Sequence, residues 1–248
     1  MQAENTYWEM LTRQMSIVTP EEQEKFKNAT IAVIGCGGIG GAAIEMLARA
    51  GVGKLILADM DEFDLSNLNR QLLSTFNEIG HSKSETGAKR VESINPFTEV
   101  EVHNTKVTQE NIEDIIEDAN IVIDAMDNVL TRVVISRACK KNKIPFIHGA
   151  IHGTLGQVSV FLSNSDKDYE SMFNLPSVGK ELNDKTIDEL EKVVTGTPPA
   201  IGPAPNIVGC FEAMEAFKIV TGIGRVIVAP KILTFDLLDL SSFKIEDI

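Results

Sequence analysis

The stretch Ile31-Ala-Val-Ile-Gly-Cys-Gly-Gly-Ile-Gly40 decides the fold. Its first four residues form a short apolar run, the pattern of a parallel strand buried on both faces, and glycines follow at once. Gly35 permits the tight turn, Gly37 with Gly38 lets backbone amides approach a phosphate, and Gly40 lets the following helix lie close to the strand. That helix, continuing through Ala42 to Ala50, offers an anion its unpaired N–H groups and the positive end of its dipole. Asp59 closes a second strand, Lys54 to Asp59, 19 positions after Gly40, where a carboxylate commonly bonds a ribose hydroxyl. Taken alone the loop is a dinucleotide fingerprint and suits a nicotinamide or flavin enzyme; a glycine-rich turn without a ligand is the plainer alternative.

Outward from this loop the chain alternates strand and helix. Helical spacing covers Ser84 to Ile94, stopped by Asn95-Pro96, then Thr108 to Glu117 and Leu130 to Lys141. Strands are expected at Val100 to His103, Ile121 to Asp124 and Ile144 to Ile147. Such alternation predicts an α/β fold, a Rossmann-like doubly wound sheet, mostly parallel, with helices on both faces. Gly156 to Leu162 alternates like an added strand and makes the sheet mixed. Residues 1–28 read as an N-terminal helical arm, with Trp8, Met10, Leu11, Met15 and Ile17 for apolar contacts and Thr19-Pro20 starting its second helix. Residues 29–163 form the nucleotide-binding domain. Residues 164–205 are polar, rich in Pro and Gly, carry one helix at Lys185 to Val194, and read as a crossover loop or lid. Residues 206–248 return as a helix through Thr221 and closing strands between Val226 and Leu238 that complete the same domain.

Bulk properties narrow the function. A chain of 248 residues builds a core without staples, and the three cysteines, Cys36, Cys139 and Cys210, form no C-x-x-C pair. Each reads as a buried structural thiol. The net charge of -13 opposes nucleic acid, which is bound by clustered Lys and Arg. No basic and apolar leader opens the chain and no apolar run reaches membrane-spanning length, so a soluble, cytoplasmic protein without a membrane partner is expected. Against so acidic a field a nucleotide site must concentrate its cations locally, which draws attention to Arg13, Arg70 and Lys83.

The segment Asp61-Glu-Phe-Asp-Leu-Ser-Asn-Leu-Asn-Arg-Gln71 has no part in a dehydrogenase. Together with the glycine loop, Gly80-His-Ser-Lys83, Ile94-Asn-Pro96, Asp124-Ala-Met-Asp-Asn128 and Arg13-Gln14, it resembles the ThiF/MoeB/HesA branch of the ubiquitin-activating-enzyme superfamily. The resemblance covers about residues 10–160 and returns at 206–221. It implies an ATP-dependent adenylyltransferase, in which Asp59 holds the ribose, Asn67, Arg70, Gln71 and Lys83 surround the triphosphate, and Asp127 helps hold Mg²⁺. Asp61 and Asn128 join this nucleotide site, Asp61 with an ordinary loop carboxylate as its alternative. Arg13 resembles an arginine that the family lends to a neighbouring subunit, which implies a homodimer.

Adenylation suits the residues present. A carboxylate is already ionised at pH 7 and needs no general base, so the absence of a Ser-His-Asp or Cys-His set is consistent. Positioned cations and Mg²⁺ then relieve charge crowding at the phosphates. Many relatives carry two C-x-x-C pairs for structural zinc, and some carry a loop cysteine that takes the acyl group onward; this chain has neither. No zinc is therefore expected, His148 and His152 read as packing or substrate contact, and the reaction is expected to stop at the acyl-adenylate, which passes to a separate sulfur donor or thiol partner. The carboxylate stays open between the C-terminal glycine of a small ubiquitin-like sulfur carrier and a small molecule, such as the pyridinol adenylated by a similar enzyme of iron-guanylylpyridinol cofactor assembly. An oxidoreductase and an inactive scaffold are the remaining readings.

Overall fold

A computed structural model describes residues 2–194, 196 and 198–248. In chain order the regular elements are α1 (Gln2–Met10), α2 (Pro20–Lys27), β1 (Thr30–Ile34), α3 (Gly38–Ala50), β2 (Lys54–Ala58), α4 (Lys83–Ile94), β3 (Glu99–His103), α5 (Ile112–Ile115), β4 (Ile121–Asp124), α6 (Val129–Asn142), β5 (Phe146–His152), β6 (Leu155–Phe161), α7 (Tyr169–Met172), α8 (Asp184–Glu191), α9 (Pro203–Thr221), β7 (Lys231–Asp236) and β8 (Asp239–Asp247). The strands form one sheet in the order β3-β2-β1-β4-β5-β6-β7-β8. Pairing is parallel from β3 through β5 and antiparallel from β5 through β8, so the expected mixed, doubly wound sheet is present.

Period-two alternation divides the core between the two faces. Ile31 and Val33 of β1 pack with Ile44 and Leu47 of α3 and with Val208 and Phe217 of α9, whereas Ala32 and Ile34 pack with Ile115 of α5 and Val133 of α6. The central strands are buried on both sides and accordingly carry continuous Ile, Val, Leu and Ala.

Several boundaries differ from expectation, each for a local reason. The helix read over Thr108 to Glu117 shrinks to the single turn α5, with Asn111 turning its side chain back to the Thr108 amide (2.8 Å). β5 continues to His152 because β6 pairs with it as far as Leu155. Pro203 and Pro205 do not punctuate a loop: they open α9, where a missing N–H costs nothing. β8 was not foreseen, because it is an edge strand with few buried residues to alternate. Much of the 164–205 stretch is core, since Tyr169, Met172, Leu175 and Leu190 pack against the β4, β5 and α6 side of the sheet.

The arm also differs in detail. Leu11 is buried as expected, but Met10 and Ile17 face outward, and Tyr7 is the anchor: its hydroxyl donates to the Gly51 carbonyl (2.7 Å) and accepts from Gln23 Nε2 (2.9 Å). Thr19 caps α2 with a reciprocal bond from Glu22, as the Thr-Pro start implied. Among the described residues no helix is long and apolar enough to cross a membrane.

Candidate nucleotide site

β1 lies between β2 and β4, so the chain departs in opposite directions from adjacent strand ends, and a crevice opens beyond their C-termini. Gly35 turns there with φ +96°, and a Cβ on it would stand 2.7 Å from the Ala125 carbonyl oxygen. The two turns can meet only through a glycine. A Cβ on Gly40 would lie 1.8 Å from the Gly35 carbonyl oxygen, so Gly40 seats α3 on the strand end rather than facing the cavity. The cavity, of about 240 Å³, is bounded by Gly35, Gly37 and Gly38 at the N-terminus of α3, which has no side-chain cap. Its amides remain available to an anion.

Asp59, half-buried beyond β2, accepts from the Cys36 amide (2.7 Å) and the Asp61 amide (2.8 Å). Burial raises its pKa, while those amides and Lys83 oppose the rise. Lys83 begins α4 beside the Ser82 cap and reaches Asp61 Oδ2 at 2.9 Å. Arg70 lines the same cavity, its Nη1 donating to the Ser66 carbonyl and to Asn69 Oδ1 (2.8 Å each). Gln71 is buried beside Gly37, and its Oε1 has no hydrogen-bond partner among the described residues. Asp127 and Asn128 close the far wall beyond β4, where Asn128 also caps α6 through the Thr131 amide (2.8 Å).

Asn67 does not join this group. It is buried in a short 3₁₀ turn, where its Oδ1 accepts from the Asp64 amide (3.0 Å), so it shapes the segment that delivers Arg70 rather than lining the cavity. Arg13 is also absent, because the next residue, Gln14, is bonded to Ala50 at the C-terminal end of α3 (3.1 Å). That end is about 20 Å along the helix from the glycine loop.

Some walls escaped sequence reasoning. Thr105, Lys106 and Val107 line the cavity after β3 without any motif to mark them. Pro198 and Ala200 cross its mouth, held by the Gly153 amide on the Pro199 carbonyl (2.7 Å) and by Asn69 Nδ2 on the Ala200 carbonyl (3.2 Å). Beneath the Asp127 loop lies a polar cluster of buried Asp124, His148 and Glu212 with the mostly buried Arg132. His148 thus has a packing role, as one reading expected. Cys36 and Cys139 are buried, and burial pushes both thiols up; Cys210 instead lies on the exposed face of α9, contrary to expectation. Among the described residues no three His, Cys, Asp or Glu converge as a metal cluster.

The chain is similar to known proteins in sequence and in fold. The ThiF family matches residues 11–247. The chain is 34% identical to a sulfur carrier protein adenylyltransferase of Thermus thermophilus, over 94% of this chain and 84% of that one. It is 31% identical to the SAMP-activating enzyme E1 of Haloferax volcanii, over 92% and 80%. In fold it resembles E. coli MccB, solved with ATP, at a TM-score of 0.74 and 21% identity over 91% of this chain and 65% of that one.

Proposed function

The chain belongs to the ThiF family, and from that premise we propose that it is an ATP-dependent adenylyltransferase that activates the C-terminal glycine carboxylate of a small ubiquitin-like sulfur carrier. The observation that carries this reading is the convergence of Arg70, Gln71, Lys83 and Asp127 with the α3 N-terminus on one cavity. Two cations and a carboxylate beside the phosphates suit displacement at phosphorus, where charge must be neutralised at the transferring group. Of the two carboxylate classes open from the sequence, the carrier is favoured by the sulfur-carrier specificity in the name of the Thermus relative.

In the proposed reaction a carboxylate oxygen of the carrier attacks the α-phosphorus of ATP, the α–β phosphoanhydride bond breaks, and pyrophosphate leaves with the electron pair. The attacking group is already ionised, so the protein contributes alignment and charge. Arg70 can meet phosphate through its planar fork, while Lys83 acts as a point charge. Asp59 suits a ribose hydroxyl, because its backbone bonds fix the carboxylate and leave acceptor capacity.

The residues fit Mg²⁺ in its usual manner with nucleotides, through one carboxylate together with phosphates and water. Asp127 lines the cavity and has no protein hydrogen-bond partner among the described residues. Bound there, the ion would neutralise phosphate oxygens. Neither buried thiol is placed to receive the acyl group, and the adenylate passes to a separate sulfur donor or thiol protein. Arg13 serves the cavity of a second copy in a homodimer, a role supported by its exposure and its distance from its own cavity.

The test is pyrophosphate exchange into ATP, stimulated either by native cell extract fractionated by size or by a purified protein ending in Gly-Gly. Stimulation confined to fractions below a few kilodaltons would overturn the carrier assignment and leave adenylation standing.

A further inference from the structure

Among the described residues Asp127 has no side-chain partner to aim it, so its direction is set by the backbone of the loop from Ala125 to Asn128. The two ends of that loop are tied by ordinary bonds: the Ala125 amide to the Ile34 carbonyl (2.9 Å) and Asn128 to the start of α6 (2.8 Å). The middle is held from below. Met126, adjacent to Asp127, donates its amide to Asp124 Oδ1 (3.1 Å), and its carbonyl accepts from Arg132 Nε (3.1 Å) and Nη2. Both backbone polar groups of one loop residue therefore end on a buried carboxylate and a mostly buried guanidinium, themselves 3.5 Å apart.

Asp124 is oriented in turn from the neighbouring strand. Asp124 and His148 are register partners on parallel β4 and β5, so their side chains leave the sheet on the same face. His148 Nδ1 lies 2.8 Å from Asp124 Oδ2. Gln157 Nε2 lies 3.1 Å from His148 Nε2. An amide nitrogen only donates, so His148 Nε2 accepts and Nδ1 carries the hydrogen given to Asp124. Burial lowers the His148 pKa and keeps the ring neutral at pH 7, and Phe146, Tyr169 and Phe173 pack around it.

We propose that His148, oriented by Gln157, is a positioning residue for the nucleotide-bound metal: the relay Gln157–His148–Asp124–Met126 fixes the loop that presents Asp127. Without the imidazole, Asp124 loses the donor on Oδ2, keeps only Arg132 there, and turns towards it, slackening its hold on the Met126 amide. Outer-shell partners of metal sites act in this way, and their loss typically costs about 10- to 100-fold in metal affinity. The inference rests on the adenylation reading only in giving Asp127 a metal to hold.

The experiment measures ATP binding to the full chain by calorimetry, with saturating Mg²⁺ and with EDTA, beside the melting midpoint. The variants are His148→Phe, His148→Asn and Gln157→Leu. Phe fits the aromatic surroundings but donates nothing, whereas Asn places an amide donor where Nδ1 stands. The expected result is a loss of about tenfold or more in the Mg²⁺-dependent part of ATP affinity for His148→Phe, with affinity in EDTA unchanged. Gln157→Leu loses less in the same sense, and His148→Asn recovers most of the loss. Variants that match the wild type, or that lose equally with and without Mg²⁺, overturn the relay. Should His148→Phe fail to fold, Gln157→Leu decides by the same criterion. A wild type whose ATP binding ignores Mg²⁺ overturns the metal role of Asp127 and the relay together, an outcome distinct from failure of the relay alone.

Discussion

The ammonium group of Lys83 stands 2.9 Å from Asp61 Oδ2 at the cavity wall, with the lysine side chain 9% exposed and the aspartate 54%. A nearly buried cation is thus held by a carboxylate that water still reaches, and in the proposed site the phosphates of a nucleotide would compete for it. Asp61→Asn removes the competitor and one negative charge. In water a unit charge about 4 Å away is worth about 1 kcal/mol, or about fivefold in affinity, so this variant is expected to bind Mg²⁺-free ATP about fivefold more tightly. Lys83→Met is expected to weaken the same binding by about tenfold or more. Calorimetry in EDTA checks both, and a weaker Asp61→Asn would show that Asp61 itself contacts the nucleotide.

Arg70 and Asp127 both line the cavity assigned to the triphosphate. Removing a preorganised charge-stabilising group typically costs about 10²- to 10³-fold in turnover. Arg70→Ala and Asp127→Ala are each expected to cut carrier-stimulated pyrophosphate exchange by about 10²-fold or more. Both positions are partly or fully exposed, so melting should change little. Near-normal exchange in both variants would remove the catalytic assignment.

If Arg13 completes a second subunit's cavity, its defect is complemented across a dimer. Arg13→Ala and Arg70→Ala homodimers are each expected to be inactive. A mixed dimer regains one site that has Arg70 in its own chain and Arg13 from the other. Exchange assays on mixed subunits, with subunit exchange verified separately, should show this recovery; its absence would place Arg13 outside the reaction.

What the sequence disclosed and what it concealed follow from the range of the interactions. The glycine loop and Asp59 were legible because each is set by short-range rules, a turn that only Gly can make and the end of an apolar run; the roles of the Arg70 segment and Lys83 came from the family resemblance. Asn67 and Arg70 sit three residues apart with equally suitable side chains, yet one faces inward to cap its own turn and the other faces the cavity. A linear pattern does not distinguish them. Asp124 and His148 meet because their strands are register neighbours, and Glu212 arrives from a helix 64 residues after His148. Pro203 and Pro205 were misread because the same residue breaks a helix interior and opens a helix start.

Glu212 offers a pH test of that buried cluster. It is fully buried, neither carboxyl oxygen has a hydrogen-bond partner in the described structure, and a Cβ on Gly149 would lie 2.4 Å from Oε1. Burial, with the nearby Asp124 charge, raises its pKa well above the ordinary value, and Arg132 only partly offsets this. Below the unfolded-state pKa of about 4.3 both states are protonated and the group is neutral in the balance. As pH rises beyond that value the unfolded chain releases the proton while the folded chain keeps it, so Glu212 removes progressively more stability until its folded pKa is passed. Glu212→Gln abolishes that proton. The melting midpoint of the variant, measured against wild type, is therefore expected to improve steadily between about pH 5 and pH 8. A difference that stays flat across this range would mean that Glu212 is ionised in the folded protein and shares Arg132 with Asp124.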